Sequence, residues 1–374
     1  MSRPWGVSII VVNYNNERFL TAAIDSALGQ NHPLCEVIVV DDCSTDNSRA
    51  VIARYGDRIN SVLREANGHQ IAALNSAWPL ARHPILIFLD SDDLLFPHAA
   101  RTVASVWTTA IVKAQFPLAS IDEVGHQIGH DHVAPKYPPN LNTETLRAQL
   151  LHIGQSHSSP GTGNAYARSL LDRVSHDGGF DLENLRNYWM DSILECNAPF
   201  YGDVVTIYEP LACYRKHDSN LVFPNTIDHV RFEKMANSCI LKLDYFAQRC
   251  RFWGIEFDVA AARDRSLHLL ECRLVAAKVA PVGIPHEPIG VTLRRALRAC
   301  YTTPGPLLPR IVLASWFVSV AVAPRTVAKH LIALRFIVTG RPAWFERLLT
   351  KVMKLGSRRK WATRAHERFL SDGS

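Results

Sequence analysis

The stretch Ile85-Leu86-Ile87-Phe88-Leu89-Asp90-Ser91-Asp92-Asp93-Leu94-Leu95-Phe96-Pro97 decides how the chain is read. Five consecutive apolar residues predict a strand covered on both faces, as inside a parallel sheet. The strand ends in three carboxylates within four positions. Carboxylates so close repel each other, and burial raises their pKa values further. A divalent cation relieves that conflict. Hard oxygen ligands suit Mg²⁺ or Mn²⁺, which commonly also take oxygens from substrate phosphates. In open α/β sheets, ligands bind beyond the carboxyl ends of strands, where these aspartates fall. The alternative is that Ser91, Asp92 or Asp93 only caps a following helix.

Outward from this stretch the pattern repeats. Val7 to Val12 is a β-rich run closed by the turn signal Asn13-Tyr14-Asn15-Asn16. Glu17 to Gln30 spaces Phe19, Leu20, Ala23, Ile24, Ala27 and Leu28 as one face of a helix. Glu36 to Val40 is a second buried strand, ending in Asp41-Asp42, and Ser44 or Thr45 is the expected N-cap of the next helix. Ile59 to Leu63 reads as a third strand. Asn67 to Gln70 is a turn into a short helix reaching Asn75, and Pro97 to Trp107 a helix with Pro in its first turn. Strands alternating with helices predict a doubly wound, mostly parallel sheet with the aspartates along one edge.

Four segments in register carry a family resemblance: Val7 to Asn15, Val37 to Asn47 (VIVVDDCSTDN), Asn67 to Asn75 (NGHQIAALN) and Ile87 to Asp93 (IFLDSDD). Together they resemble family 2 glycosyltransferases, over roughly residues 5–220. The resemblance implies a GT-A-like α/β fold: a Rossmann-type, mostly parallel sheet flanked by helices, here with a helical C-terminal extension. It also implies metal-dependent transfer of a sugar from a nucleotide-sugar donor, with inversion. Cys43 and His69 stand where the family commonly has glycine.

The resemblance also implies roles. Asp42 matches a contact to the nucleotide base and Tyr14 a residue packing on it. A carboxylate can accept from uracil N3–H, so a UDP-sugar is favoured. Asp41 has the structural alternative of a strand-end cap. Gln70 and Asn75 resemble donor-side residues. Asp90 and Asp92 match the D-x-D pair, with Asp92 as ligand of Mg²⁺ or Mn²⁺ and Asp93 in support. In Tyr214-Arg215-Lys216-His217, His217 is expected at the metal or diphosphate and Arg215 or Lys216 at the phosphates.

Gly178-Gly179-Phe180-Asp181 resembles the segment before the catalytic helix. That helix usually opens with Glu-Asp, but here Met190 takes the Glu position and leaves Asp191 as the expected general base, 18 positions before Glu209. Such a base must reach the acceptor hydroxyl. Asp181, Glu183 and Glu195 are its rivals. Gln155 to Gly163 (QSHSSPGTG) is a polar loop that suits either an acceptor site or plain surface. A hairpin around Asp122-Glu123-Val124-Gly125 brings His126, His130, Asp131 and His132 near one another in sequence, a weaker metal candidate.

Composition limits the rest. A 47% hydrophobic chain holds a substantial core. No signal peptide is expected, because Val7 to Val12 is too short, and no run reaches 18 apolar residues. The eight cysteines are scattered without a C-x-x-C, which reads as reduced thiols in a cytoplasmic protein. Charge is divided, −7 over residues 1–293 and +13 over 294–374. The expected organisation is a catalytic domain at 1–224, a helical extension at 225–293 and a basic, amphipathic tail at 294–374.

Val259 to Val279 is helical in pattern. In the tail, Ile311 to Ala323, Val327 to Val338 and Trp344 to Met353 alternate apolar faces with Lys and Arg. That suits an anionic membrane surface at the inner face of the cytoplasmic membrane, or a cap packed on protein. A nucleic-acid partner is not expected, since no recognition motif appears. The acceptor implied is a glycan or lipid-linked glycan in cell-surface polysaccharide synthesis. A polyprenyl-phosphate synthase and a catalytically silent binding member are the alternative functions.

Overall fold

Burial on both faces turns the apolar runs into neighbouring strands. The structure, a computed structural model, describes residues 5–128, 133–134, 137–181, 187–217, 227–281, 284, 286–303 and 306–336. The chain opens β1 (Val7–Asn13), α1 (Glu17–Leu28), β2 (Cys35–Asp41), α2 (Ser48–Ala53), β3 (Asn60–Leu63), α3 (His69–Ala77) and β4 (Ile85–Asp90). After the aspartates come β5 (Leu94–Leu95), α4 (Ala99–Val106), β6 (Ile111–Gln115), β7 (Leu118–Ile121) and β8 (Val133–Ala134). Then follow α5 (Thr143–Ile153), β9 (Asn164–Ala167), α6 (Arg168–His176), α7 (Met190–Tyr201), β10 (Asp203–Thr206) and β11 (Ala212–Arg215).

Seven strands form the main sheet, in the order β10-β6-β9-β4-β1-β2-β3. β1 pairs in parallel with both β2 and β4, and β3 pairs in parallel with β2. These four strands therefore end at one edge, with Asn13 opposite Asp41 and Val12 opposite Asp90. Only β9 runs against its neighbours β4 and β6. Ile85 to Leu89 are all buried, as their unbroken apolarity requires.

A second sheet, β5-β11-β7-β8, is not anticipated by the sequence. Two of its strands have two residues each, too short to show a period. It matters because β5 follows the aspartates directly and pairs antiparallel with β11 (Leu94 with Cys213, Leu95 with Ala212). Asp90 to Asp93 are thus held between two sheets, and none caps a helix.

Other expectations are corrected. Ser44 and Thr45 cap no helix. Asp41 takes the N–H and hydroxyl of Ser44, Asn15 takes the N–H of Thr45, and α2 starts only at Ser48. The helix expected from Pro97 starts at Ala99. The stretch 155–163 is no plain surface loop, since Ser159, Thr162 and Gly163 are buried and residues 161–163 make a short 3₁₀ turn.

The chain divides into two units, residues 1–217 with 245–257, and residues 218–244 with 258–374. The first unit thus also takes the end of α8 (His229–Phe252), which the expected boundary at 224 assigned elsewhere. There Arg249 donates to Asn197 Oδ1 (2.9 Å) and the Tyr201 hydroxyl (2.7 Å). Among its described residues the second unit is helical: the start of α8, then α9 (Val259–Arg265), α10 (Leu267–Val279), α11 (Ile289–Thr302), α12 (Leu307–Val322) and α13 (Arg325–Phe336). The single helix expected over 259–279 is broken at Ser266, whose extended backbone and hydroxyl cap α10. Phe232, Leu270, Leu274, Phe317, Val320 and Ile332 are buried in this unit.

Candidate active site at the carboxyl edge of the sheet

The turn after β4 is fixed from every side. Ser91 N–H donates to Val12 O (3.2 Å) and Asp93 N–H to Asp90 O (3.0 Å). Asp93 is buried, and its carboxylate accepts from the Thr162 hydroxyl (2.7 Å) and Arg215 N–H (3.0 Å). The same Thr162 oxygen accepts from Asp90 N–H (3.1 Å). Burial, then the charges of Asp92 and Asp90, raises the Asp93 carboxyl well above its ordinary range. Asp90 is pushed up to about 7 by burial and by the charges of Asp92 and Asp191, while Gln70 and Thr162 pull it back. The turn thus concentrates negative charge that its surroundings disfavour.

Asp92 faces the outer side of this turn. Its Oδ2 lies 2.9 Å from His217 Nε2, and the imidazole is steadied by the Phe19 ring, 5.0 Å between centroids. The pairing of β5 with β11 brings together residues 125 positions apart. A carboxylate and an imidazole fit Mg²⁺ or Mn²⁺ as a partial ligand set. Among the described residues no three His, Cys, Asp or Glu side chains gather as a metal site. His126 is exposed beside Asp122 (3.5 Å), while His130, Asp131 and His132 lie outside the described residues.

Arg215 is buried beside the turn. Its buried guanidinium donates to the carbonyls of Asp92 (2.8 Å), Asp122 (3.3 Å) and Glu123 (2.9 Å), which ties the aspartate turn to the hairpin. Those bonds hold the backbone of the turn and of the hairpin.

Asp191 lies in the first turn of α7. Its carboxylate accepts from Ser192 N–H (2.7 Å) and Gly161 N–H (3.0 Å). Gly161 also presses on Asp90: a methyl at that position would sit 2.3 Å from Asp90 Oδ2. A single residue thus separates the aspartate turn from the helix bearing Asp191. Gln70 makes a second bridge, its Oε1 accepting from Met190 N–H (3.1 Å) and its Nε2 3.5 Å from Asp90 Oδ1. The rivals are placed differently. Glu195 accepts from Ser156 N–H (2.8 Å), Asp181 is exposed, and Glu183 lies outside the described residues.

Of the remaining donor-side candidates, Tyr14 and Asp42 directly follow β1 and β2 at the same edge. Tyr14 is half exposed at the end of β1. Asp42 is buried and accepts from Arg64 Nε (2.7 Å) and Gly68 N–H (3.0 Å), fixing the turn that opens α3. Asn75 accepts from the Trp78 indole (3.3 Å) at the far end of α3, a local bond. Asp41 is fully buried among Asn13, Ser44 and Arg49, and these bonds outweigh its burial and hold its carboxyl low. From sequence, Gly161 and Thr162 stood out only as members of the polar loop Gln155 to Gly163, although Pro160-Gly161-Thr162-Gly163 before a strand is a turn signal.

Residues 8–174 match glycosyl transferase family 2. An uncharacterised glycosyltransferase of Nostoc sp. is 34% identical over 221 residues, 57% of this chain and 66% of that protein. The poly(ribitol-phosphate) β-N-acetylglucosaminyltransferase TarS of Staphylococcus aureus is 33% identical over 103 residues, 26% of this chain and 18% of TarS. The chain thus spans less than two thirds of the length of these relatives. In structure, S. aureus TarS 1–349 in complex with UDP-GlcNAc is similar with a TM-score of 0.50 at 16% identity, covering 88% of this chain and 90% of that one. A mannosyltransferase from Pyrobaculum calidifontis in complex with GDP-Man and Mn²⁺ gives 0.50 at 17% identity, covering 89% and 86%. At such identities the structural likeness speaks for the fold alone. Residues 8–174 thus match glycosyl transferase family 2, within a GT-A-like fold.

Proposed function

We propose that this protein transfers a sugar, with inversion, from a nucleotide-sugar to a glycan or lipid-linked glycan of the cell surface. One observation carries the reading: Gly161 touches both Asp90 of the D-S-D turn and the carboxylate of Asp191. Donor-side and acceptor-side groups are thus one residue apart. The nucleotide would lie over Tyr14 and Asp42, a UDP-sugar being favoured because a carboxylate matches uracil N3–H. The neighbours captured with UDP-GlcNAc and GDP-Man support a nucleotide-sugar of either base on this fold.

Asp92 and His217 would hold Mg²⁺ or Mn²⁺, with the donor diphosphate and water as the other ligands. When bound, the metal supplies Lewis-acid neutralisation of the leaving diphosphate. Asp191 takes the proton from the acceptor hydroxyl, whose oxygen bonds to the anomeric carbon as the bond to the diphosphate breaks. Gly161 N–H and Ser192 N–H hold and aim the Asp191 carboxylate. Gln70, bonded to both sides, holds them in register. The same reading attaches the protein peripherally, by its basic 294–374 region, to the inner face of the cytoplasmic membrane.

A panel of nucleotide-sugars tests it. One class should bind, and Asp191→Asn should lower transfer by roughly 10² to 10⁴ with donor affinity unchanged. Lost donor affinity with intact turnover in that variant would move Asp191 out of the role of base.

A further inference from the structure

α12 is apolar on its inner and its outer face, and its one charge, Arg310, donates to the carbonyls of Cys300 and Tyr301. Inward, Phe317 and Val320 are fully buried, and the helix packs against α10, α11 and α13. Outward, Leu307, Leu308, Ile311, Val312, Val318 and Val322 stand exposed at helical spacing. Leu307 is 64% exposed, Ile311 50% and Val322 73%, and only Ser315 and Ser319 interrupt the face. A helix facing water ordinarily carries a polar stripe on its outer side. Here that stripe is missing.

The surrounding charge says what chemistry covers the face. Residues 289–336 contain seven Lys or Arg and no Asp or Glu. Arg294 and Arg298 are exposed along α11, and Lys329 is exposed on α13. An apolar strip within wholly basic helices matches an anionic headgroup layer over hydrocarbon. At 16 residues, α12 is about 24 Å long, short of the roughly 30 Å hydrocarbon core. Among the described residues no helix is long and apolar enough to cross a membrane.

We propose that the outer face of α12 is the membrane-contacting surface, lying in the plane of an anionic bilayer with Arg294, Arg298 and Lys329 among the headgroups. This rests on the inner-leaflet reading above and narrows a basic region of eighty-one residues to one helix face. Residues 337–374, which the sequence also offered for this role, lie outside the described residues.

The test is co-sedimentation of the full chain with vesicles of phosphatidylcholine, with and without phosphatidylglycerol. The wild type should bind only the anionic vesicles, less so at high salt. The double variant Ile311→Asp/Val318→Asp should lose about tenfold or more of that binding. Its helical circular dichroism and its nucleotide-sugar hydrolysis in solution should not change. Should that variant fold poorly, Ile311→Ser/Val318→Ser supplies a milder version, expected to bind at an intermediate level. Undiminished binding by either variant overturns the assignment to α12 and leaves the membrane reading standing. No binding by the wild type overturns both. A wild-type dimer that either variant converts to monomer without vesicles overturns the proposal in favour of a subunit contact. Anionic-vesicle binding restored to the double variant by deleting residues 337–374 would show that those residues, rather than lipid, answer to this face, and overturns it too.

Discussion

One hydroxyl arranges two of the three clustered carboxylates. Thr162 donates to Asp93 and accepts from Asp90 N–H, so it sets the shape of the turn on which Asp92 is presented. Thr162→Val keeps the volume and removes both bonds. The buried Asp93 and the Asp90 amide then each lose a partner, a cost of about 1–3 kcal/mol in urea unfolding. Turnover should fall tenfold or more with it, and Thr162→Ser should restore most of both. Gly161→Ala should be worse for activity, because its methyl must displace the Asp90 carboxylate or Asp191's donor. These dependences show where residue-level legibility stops. Asp90, Asp92 and Asp93 announce themselves because their conflict is local to four positions. Thr162 is silent in the sequence because its partner lies 69 positions away. Arg215 was visible as a cation, yet its burial against three carbonyls is a product of the fold.

At the scale of elements, polar stitches hold the strands and helices that apolar burial brings together. Glu36 on β2 accepts from the Ser8 hydroxyl (2.6 Å), the Arg82 N–H (2.6 Å) and the Arg82 guanidinium (2.7 Å), joining β1, β2 and the approach to β4. Burial raises its pKa, but those bonds outweigh it, and the folded-state value lies below the ordinary one. Glu36 therefore contributes stability above the unfolded pKa, near 4.3, and that contribution is lost as pH falls through the folded value. Glu36→Gln should lower stability at neutral pH, and its deficit against wild type should shrink as pH drops from about 5 to 3. In the second unit, Ser266→Ala removes the α10 cap and should cost about 0.5–2 kcal/mol in thermal or urea unfolding. β1, β2 and β4 were legible because each is a dense apolar run, whereas β9 and β10, four residues each, were not. The break at Ser266 was not, because one serine within an otherwise helical pattern changes no period, and the two-residue strands carry no period at all.

Across the whole molecule, a family domain with its aspartates along one edge is joined in sequence to a basic helical unit. The first was readable from four motifs in register. The second was readable only as charge and hydrophobicity, since helices that pack on one side and expose apolar residues on the other leave no spacing to separate the two faces. The central claim is that the D-S-D turn and His217 bind a nucleotide-sugar through its diphosphate and a divalent metal. Nucleotide release from a nucleotide-sugar panel, followed for the wild type and Asp92→Asn with Mn²⁺ and with chelator, tests it most directly. The account predicts release from one donor class, abolished by chelation, restored by Mn²⁺ and reduced by roughly 10² or more in folded Asp92→Asn, where a charge and a ligand are lost together. Release that proceeds equally in the variant and without metal, or from no nucleotide-sugar at all, would contradict it.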